Sequence, residues 1–243
     1  MTGTALITGA ARGIGEATAR CLAGQGWQVA LMDRDPEVIE VAAGLGSQAR
    51  GYTGDVSDPG DWERIVGAVT ADLGPVTGLV SNALITDPTP IDRMTPESWQ
   101  RQLDVNLTGT FHGVRTCLPG LRAARPGRVV IVSSVHAFFG LPDVPAYAAT
   151  KAGLTGLTRQ LAVQYGSGVR VNCVAPGPIR TAQWDRLTED EIARSAAETT
   201  LGRLGSPDEV AAAIAFLIGD DASFITGATL TVDGGWSVTK NSS

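Results

Sequence analysis

Short apolar runs alternate with longer stretches of helical spacing along the whole sequence. The runs are TALIT at 4–8, WQVALMD at 27–33, VTGLVSNA at 76–83, GRVVIVSS at 127–134 and GVRVNCVAP at 168–176. Strands and helices that alternate with short links form parallel sheets with right-handed crossovers. The pattern therefore predicts an α/β protein with a three-layer, doubly wound (Rossmann) fold. Its sheet is expected to be mostly parallel and seven-stranded, with helices on both faces.

The chain shows no repeat, no low-complexity tract and no composition shift that would mark a linker. Its 243 residues, 43% of them hydrophobic, suffice for one substantial core. We therefore predict a single domain over residues 1–243. A polar stretch at 180–203 is predicted to form a lid within it.

The charge balance excludes several classes of partner. The formal net charge is −6 and no Lys/Arg cluster is present, which argues against nucleic acid and against anionic membranes. No apolar run approaches the roughly 18 residues of a membrane span. The first residues are typical of a strand rather than of a signal peptide, which predicts a cytoplasmic protein.

The cysteines and histidines do not suggest disulfides or a metal site. Cys21, Cys117 and Cys173 are not arranged as a C-x-x-C pair, which predicts free thiols in a reducing compartment. The two histidines, His112 and His136, form no cluster with metal-ligand spacing. We therefore expect no bound metal.

A glycine-rich loop separates the first predicted strand from the first predicted helix. Gly9, Gly13 and Gly15 allow close approach of a ligand to bare backbone, and the helix N-terminus attracts phosphate. Asp33 ends the next strand, where a carboxylate would bind ribose hydroxyls. Repulsion of a 2′-phosphate at about 4 Å would cost on the order of 4 kcal/mol, which favours NAD over NADP. Arg12 and Arg34 are the complication, because either can pair with a phosphate or simply face solvent.

Lysine is rare in this chain, which has two lysines against seventeen arginines. Lys240 lies near the end, and Lys151 lies four residues after Tyr147 in the stretch YAATK. Residues i and i+4 share a helix face, and a nearby ammonium favours a phenolate. Tyr147 is therefore predicted to act as a general base whose pKa Lys151 lowers. The alternative is an ordinary surface pair.

Ser134 ends a predicted strand thirteen residues before Tyr147, at the edge where ligands bind to such sheets. Its hydroxyl is a candidate to hold the substrate oxygen, and Ser133 is the competing candidate. Asn106 falls where a long helical region, 96–124, is expected to break.

These features together resemble the short-chain dehydrogenase/reductase family over essentially the whole chain. The matching pieces are TGAARGIG at 8–15, Asp33, GDV at 54–56, SNA at 81–83, Val105 with Asn106, Ser133 and Ser134, YxxxK at 147–151, the segment at 176–181 and DGG at 233–235. The chain departs from the family's NNAG by reading SNAL, so Leu84 replaces a glycine.

The resemblance implies reversible hydride transfer between NAD and a secondary alcohol. It implies a catalytic set of Asn106, Ser134, Tyr147 and Lys151, in which Asn106 helps to hold a water that links the lysine to solvent. It also implies a set of cofactor-binding residues, which includes Tyr147 and Lys151. The other members are Gly9, Arg12, Gly13, Ile14, Gly15, Asp33, Asp55, Val56, Asn82, Ala83, Pro176, Gly177, Ile179 and Thr181. A homotetramer is expected, with a dimer as the alternative.

The substrate is the least determined feature. The segment 135–146 is predicted to form one side of the substrate pocket, where Phe138 would be an apolar contact for the substrate. His136 can bond a second substrate hydroxyl or a backbone group, and Trp184 can contact substrate from the lid or pack on the protein. A small cyclic alcohol, a sugar or a polyol fits this wall. The alternatives are a 3-oxoacyl-thioester (acyl-carrier-protein) reductase and a nucleotide-binding scaffold without catalysis.

Overall fold

A computed structural model describes residues 3–238, apart from the side chains of Gln183 and Arg186. Lys240 lies outside the described residues. The strands are β1 (Thr4–Thr8), β2 (Gln28–Asp33), β3 (Ala49–Thr53), β4 (Val76–Ser81), β5 (Gly127–Val132), β6 (Val169–Pro176) and β7 (Thr229–Val232). They form one parallel sheet in the order β3-β2-β1-β4-β5-β6-β7.

Helices connect the strands and cover both faces of the sheet. The α-helices are α1 (Gly13–Gly24), α2 (Val38–Gly44), α3 (Pro59–Leu73), α4 (Pro96–Leu103), α5 (Gly109–Ala124), α6 (Pro145–Tyr165), α7 (Glu189–Ala197) and α8 (Pro207–Ile218). A π-helical turn, Asp104–Thr108, joins α4 to α5. Short 3₁₀ turns occupy Val135–Ala137, Ala182–Arg186, Asp220–Ala222 and Trp236–Val238. The predicted doubly wound α/β fold is confirmed.

The core follows from the alternation of side chains along the strands. In β1, Ala5 and Ile7 belong to one buried cluster, whereas Leu6 belongs to a second cluster. The first cluster packs under α1 and α8, and the second packs under α3, α5 and α6. Because both faces are buried, the central strands lack polar alternation, as expected for a parallel sheet.

The strand order reverses between β1 and β4. The chain moves outward from β1 to β3 and then returns, so β4 lies against the other side of β1. Ligands of such open sheets bind outside the carboxyl edge of the sheet, at the point where the strand order reverses. Most of the predicted site residues lie at this edge.

The structure shifts some predicted boundaries. The second helix, α2, begins at Val38, after a turn that includes Pro36. The break expected near Asn106 is the π-turn, in which the helical path widens by one residue without ending. No helix among residues 3–238 is both long and apolar enough to cross a membrane.

Candidate active site

The glycine loop between β1 and α1 lies in tight contact with the loop that follows β4. Gly9 and Gly13 adopt positive φ angles of 65° and 62°. A Cβ on Gly9 would lie 2.8 Å from Ala83 Cα, and one on Gly15 would lie 2.1 Å from the Gly9 carbonyl oxygen. Larger residues would have to displace backbone, so the loop is a bare cradle at the helix N-terminus.

Asn82 holds this cradle closed. Its Nδ2 donates to the carbonyl oxygens of Thr8 at 3.0 Å and of Gly9 at 3.1 Å. In return, the Thr8 hydroxyl accepts from the backbone N–H groups of Asn82 and Ala83 at 3.0 and 3.1 Å. Asn82 and Ala83 were predicted cofactor residues. Thr8 was not, although its place directly before Gly9 is a signal that could have indicated it.

Asp33 lies beside the cradle at the end of β2. Its carboxylate accepts from the backbone N–H of Ala11 at 3.0 Å and of Asp35 at 3.0 Å. The Arg12 guanidinium forms an ion pair with Asp35 and lies 3.8 Å from Glu37. Arg12 is therefore engaged by carboxylates at the rim of the cradle.

Asp55 and Val56 follow β3 on the same edge. The Asp55 carboxylate accepts from the backbone N–H and the hydroxyl of Ser57 at 2.8 and 2.7 Å. The Val56 carbonyl accepts from the Trp62 indole at 2.9 Å, and Val56 itself is buried. The Gly54 N–H donates to the Asp33 carbonyl at 2.9 Å, which ties this loop to the end of β2.

The segment after β6 approaches the cradle from the other side. Gly177 donates to the Val232 carbonyl at 3.0 Å, and a Cβ on it would lie 2.5 Å from Asp233 Cβ. Ile179 pairs with Gly205 in an isolated bridge and is buried. The methyl of Thr181 lies 3.7 Å from where a Gly13 Cβ would be. Thr181 thus lies beside Gly13, so the predicted residues after β6 approach the glycine loop, and Ile14, next to Gly13, is half-buried.

Tyr147 and Lys151 lie one turn apart near the start of α6, on the same side of the helix. The Lys151 Nζ is 5.4 Å from the centre of the Tyr147 ring. Lys151 is 1% exposed, and its Nζ donates to the Val132 carbonyl, at the end of β5, at 2.8 Å. The lysine therefore links the helix to the carboxyl edge of the sheet.

The two serines after β5 have different partners. The Ser133 hydroxyl donates to the backbone carbonyl of Lys151 at 2.7 Å and anchors α6. The Ser134 hydroxyl hydrogen-bonds to Tyr147 and accepts from the backbone N–H of His136 at 3.2 Å. Ser134 is thus the serine that faces the tyrosine, and Ser133 faces the helix layer.

Burial controls the proton affinities of this pair. It raises the pKa of Tyr147 above its ordinary value, and the hydrogen bond from Ser134 lowers that pKa by less. Burial also lowers the pKa of Lys151 to about 8. The net shift of the Tyr147 pKa in the protein alone is therefore upward, because removal from water is the largest effect on it.

Asn106 is buried within the π-turn. Its Oδ1 accepts from the Ile85 N–H at 2.8 Å, and its Nδ2 donates to the Ile85 carbonyl at 2.9 Å. Its Nδ2 also lies 3.4 Å from the Thr150 hydroxyl. The side chain thus ties the loop after Leu84 to the π-turn and to α6.

The predicted substrate residues lie on two segments. The His136 ring packs edge-on against Tyr147, with centres 5.3 Å apart, and Phe138 is 51% exposed. Trp184 is half-buried in the 3₁₀ turn at the start of the predicted lid. Trp184 thus lies on the segment after β6, whereas His136 and Phe138 lie after β5.

A tryptophan near the C-terminus was not predicted to approach this pocket. The Trp236 ring packs edge-on against Phe139 at 5.7 Å, and its indole N–H donates to Glu198 at 3.0 Å. Leu201 also donates to the Gly234 carbonyl at 3.1 Å, so the end of the lid is tied to the same terminal segment. No local pattern indicates such a contact, because the partners are far apart in sequence. Among the described residues, no group of His, Cys, Asp or Glu is arranged to hold a metal.

Comparisons with known proteins agree with this geometry. A family model described as Enoyl-(Acyl carrier protein) reductase matches residues 9–237. The chain is 41% identical over 237 residues to cis-4-hydroxycyclohexanecarboxylate dehydrogenase of Sinomonas cyclohexanicum, covering 96% of this chain and 95% of that one. It is 39% identical over 233 residues to the 3-oxoacyl-(acyl-carrier-protein) reductase FabG of Vibrio cholerae, covering 95% and 96%. The structure of Thermoplasma acidophilum aldohexose dehydrogenase superposes with a TM-score of 0.93 at 30% identity, covering 100% and 96%.

Proposed function

The chain belongs to the short-chain dehydrogenase/reductase family, and from this premise we propose that it interconverts a secondary alcohol and a ketone with NAD. Membership makes it an oxidoreductase that uses a nicotinamide cofactor, NAD or NADP. The proposal is carried by one observation: Tyr147, Ser134 and Lys151 converge at the sheet edge that also bears the glycine cradle. The bound cofactor would supply the hydride acceptor.

The residues of the chain account for the proton and for substrate orientation. Ser134 and Tyr147 hold the substrate oxygen between two hydroxyls. Tyr147 removes the alcohol proton during oxidation and returns it during ketone reduction, and such general acid–base work contributes roughly 10²–10⁴-fold. Because burial raises the pKa of Tyr147, the protein alone keeps this hydroxyl protonated at neutral pH. Oxidation should therefore accelerate as the pH rises above neutrality.

Lys151 and Asn106 support this step. Lys151 orients the nicotinamide ribose and stabilises the phenolate by its positive charge. Its pKa of about 8 lets the amine gain and lose a proton in the working pH range. Asn106 uses its side chain to hold Ile85, so its backbone carbonyl would hold the water that carries the proton outward.

A single substitution tests the reaction. Tyr147→Phe removes only the hydroxyl, so NADH binding, read by fluorescence titration, should change by no more than a few-fold. NADH production from a panel of secondary alcohols and sugars should fall by roughly the 10²–10⁴-fold of a lost general base. A variant that keeps a tenth of the wild-type turnover contradicts the assignment.

The preference for NAD rests on the carboxylates around the cradle. Asp33 lies at the end of β2, and Arg12 is paired with Asp35 near Glu37 instead of standing free for a phosphate. A 2′-phosphate about 4 Å from Asp33 would cost on the order of 4 kcal/mol, close to a thousandfold. We expect Asp33→Ser to bring the kcat/KM with NADP much closer to the kcat/KM with NAD. Glu40→Ser, an exposed carboxylate on α2, is the control, and equal efficiency of the wild type with both cofactors refutes the preference.

A second candidate function is reduction of a 3-oxoacyl thioester. It is favoured by the 39% identity to the Vibrio cholerae reductase. It would require NADPH and, for a carrier-protein substrate, a basic docking patch, which the net charge of −6 does not favour. Assay of acetoacetyl-CoA with NADPH and with NADH distinguishes it from the alcohol dehydrogenase proposal.

We also propose that the chain acts as one domain within a cytoplasmic homotetramer, with a dimer as the alternative. Apolar side chains are exposed around the edge strand β7, where Phe224 is fully exposed and Leu230 and Phe216 are 38% and 43% exposed. An open sheet edge beside such residues is a surface for a second copy. Light scattering after gel filtration should give about four times the 25.2 kDa chain mass, and Phe224→Asp should lower it.

A further inference from the structure

His136 lies next to both hydroxyls of the candidate active site. It occupies the 3₁₀ turn that begins after Ser134, and its backbone N–H donates to the Ser134 hydroxyl oxygen at 3.2 Å. Its ring stands at 81° to the Tyr147 ring, with centres 5.3 Å apart. A substrate whose oxygen contacts Tyr147 and Ser134 must therefore pass close to this imidazole.

The two ring nitrogens of His136 are in different environments. Nδ1 is buried and has no hydrogen-bond partner among the described residues. This does not hold for Nε2. Burial, followed by the charge of Lys151, lowers the pKa of His136, so the ring is neutral at pH 7. An unpartnered buried donor is costly, which favours the tautomer with the proton on Nε2. Nε2–H is then a hydrogen-bond donor available to a ligand.

The chain segment that carries this donor is otherwise apolar. From Val135 to Pro142, His136 has the only side chain that can donate a hydrogen bond. Phe138 and Leu141 are 51% and 43% exposed, and Phe139 is held by its ring contact with Trp236. An isolated donor in an apolar wall is how a pocket fixes the orientation of a largely apolar ligand.

We propose that His136 determines specificity by donating from Nε2 to a second oxygen of the substrate. The substrate class is then a secondary alcohol, or its ketone, with an apolar frame and a hydroxyl or keto oxygen on a carbon adjacent to the reacting one. This inference rests on the proposed function of the Tyr147 site. His136 takes no part in the proton transfer.

Matched substrate pairs test the inference. Cyclohexanol is compared with cyclohexane-1,2-diol, cyclopentanol with cyclopentane-1,2-diol, and 2-butanol with butane-2,3-diol, each with NAD. The wild type should prefer the diols by about tenfold or more in kcat/KM, the usual effect of one hydrogen bond to a built donor. His136→Phe should abolish that preference, so that the ratio of kcat/KM between the two members of each pair falls to about one.

Two amide variants separate the hydrogen bond from the shape of the ring. Glutamine can place its amide N–H near the position of Nε2, whereas asparagine places it near Nδ1. His136→Gln should therefore retain much of the diol preference, and His136→Asn should lose it. A purely structural role would affect both members of each pair equally.

The outcomes are distinct. If the wild type oxidises the simple alcohols as well as the diols, or if His136→Phe keeps the preference, the role of His136 is refuted while the alcohol dehydrogenase proposal stands. If none of the six compounds gives NADH while another secondary alcohol or a sugar of the panel does, this inference fails and the proposed function stands. If no compound of the whole panel gives NADH, both fail.

Discussion

Replacing Lys151 with methionine removes a positive charge that lies beside Tyr147 and keeps most of the side-chain volume. Lys151 is 1% exposed, and its Nζ has one hydrogen bond, to the Val132 carbonyl at 2.8 Å. Burial lowers the pKa of the amine from its ordinary 10.5 to about 8. The stability of the protein should therefore depend on pH partly through this group.

The sign and size of the effect follow from proton linkage. Between about pH 8 and pH 10 the unfolded chain keeps this lysine protonated, whereas the native protein releases the proton. The unfolded state then binds more protons, so the free energy of unfolding rises with pH across this window. At about 1.4 kcal/mol per pKa unit, the shift corresponds to about 3 kcal/mol.

The assay is urea unfolding of wild type and Lys151→Met at a fixed protein concentration between pH 7 and pH 10. The difference between the two proteins cancels titrations that they share. Wild type should gain about 3 kcal/mol over the variant as the pH rises. Loss of the Val132 hydrogen bond adds an offset of about 1 kcal/mol that does not vary with pH.

Tyr147→Phe is the matched control for this experiment. Because the pKa of Tyr147 is raised above 10, its removal should give a difference from wild type that is flat between pH 7 and pH 9. A flat difference for Lys151→Met, or a wild type that loses relative stability as the pH rises, would refute the reasoning that burial controls this site.

Two other substitutions have outcomes that the packing determines. Gly15→Ala forces a Cβ to within 2.1 Å of the Gly9 carbonyl oxygen, so it should lower the free energy of unfolding by about 1–3 kcal/mol and weaken NADH binding in fluorescence titrations. Gly24→Ala, with no atom within 4 Å of the new Cβ, should leave binding unchanged, and equal effects would contradict the cradle. The Arg170 guanidinium donates to two carbonyls at the end of α8 at 2.7 and 2.8 Å. Because Arg170→Met removes both hydrogen bonds, thermal unfolding should show that the free energy of unfolding falls by about 3 kcal/mol. The exposed Arg159→Met is its control, and a similar melting temperature for both variants would contradict this capping role.

The fold and the glycine cradle were predictable because they depend on local sequence. Apolar runs separated by helical stretches determine a parallel sheet whatever the side-chain details. Gly9 and Gly13 were expected where the backbone must turn, and both have positive φ. The sequence could not show that Asn82 closes the loop through two carbonyl oxygens, because that contact depends on how β1 and β4 are paired.

Other features depend on tertiary contacts and on burial, which cannot be read from local sequence. The π-turn at Asp104–Thr108 persists because Asn106 bonds both backbone groups of Ile85, an arrangement set by tertiary packing. The contact of Phe139 with Trp236 joins distant segments. The spacing of Tyr147 and Lys151 predicted their shared helix face but not their burial, and burial determines the sign of the pKa shift of the tyrosine.

The charge state of the Tyr147–Lys151 pair depends on the balance between burial and the attraction of the two charges. Burial disfavours both charges, since it raises the pKa of Tyr147 and lowers that of Lys151 to about 8. Because the Nζ lies 5.4 Å from the ring centre, an ammonium there would stabilise a phenolate. The uncharged pair is favoured over the charged pair in the protein alone, since the pKa of Tyr147 lies above that of Lys151. The Ser134 hydrogen bond lowers the pKa of Tyr147, and a positive charge bound beside the ring would act in the same direction. We therefore expect the tyrosine to donate a proton to a ketone at neutral pH and to accept one from an alcohol at higher pH without any change of fold.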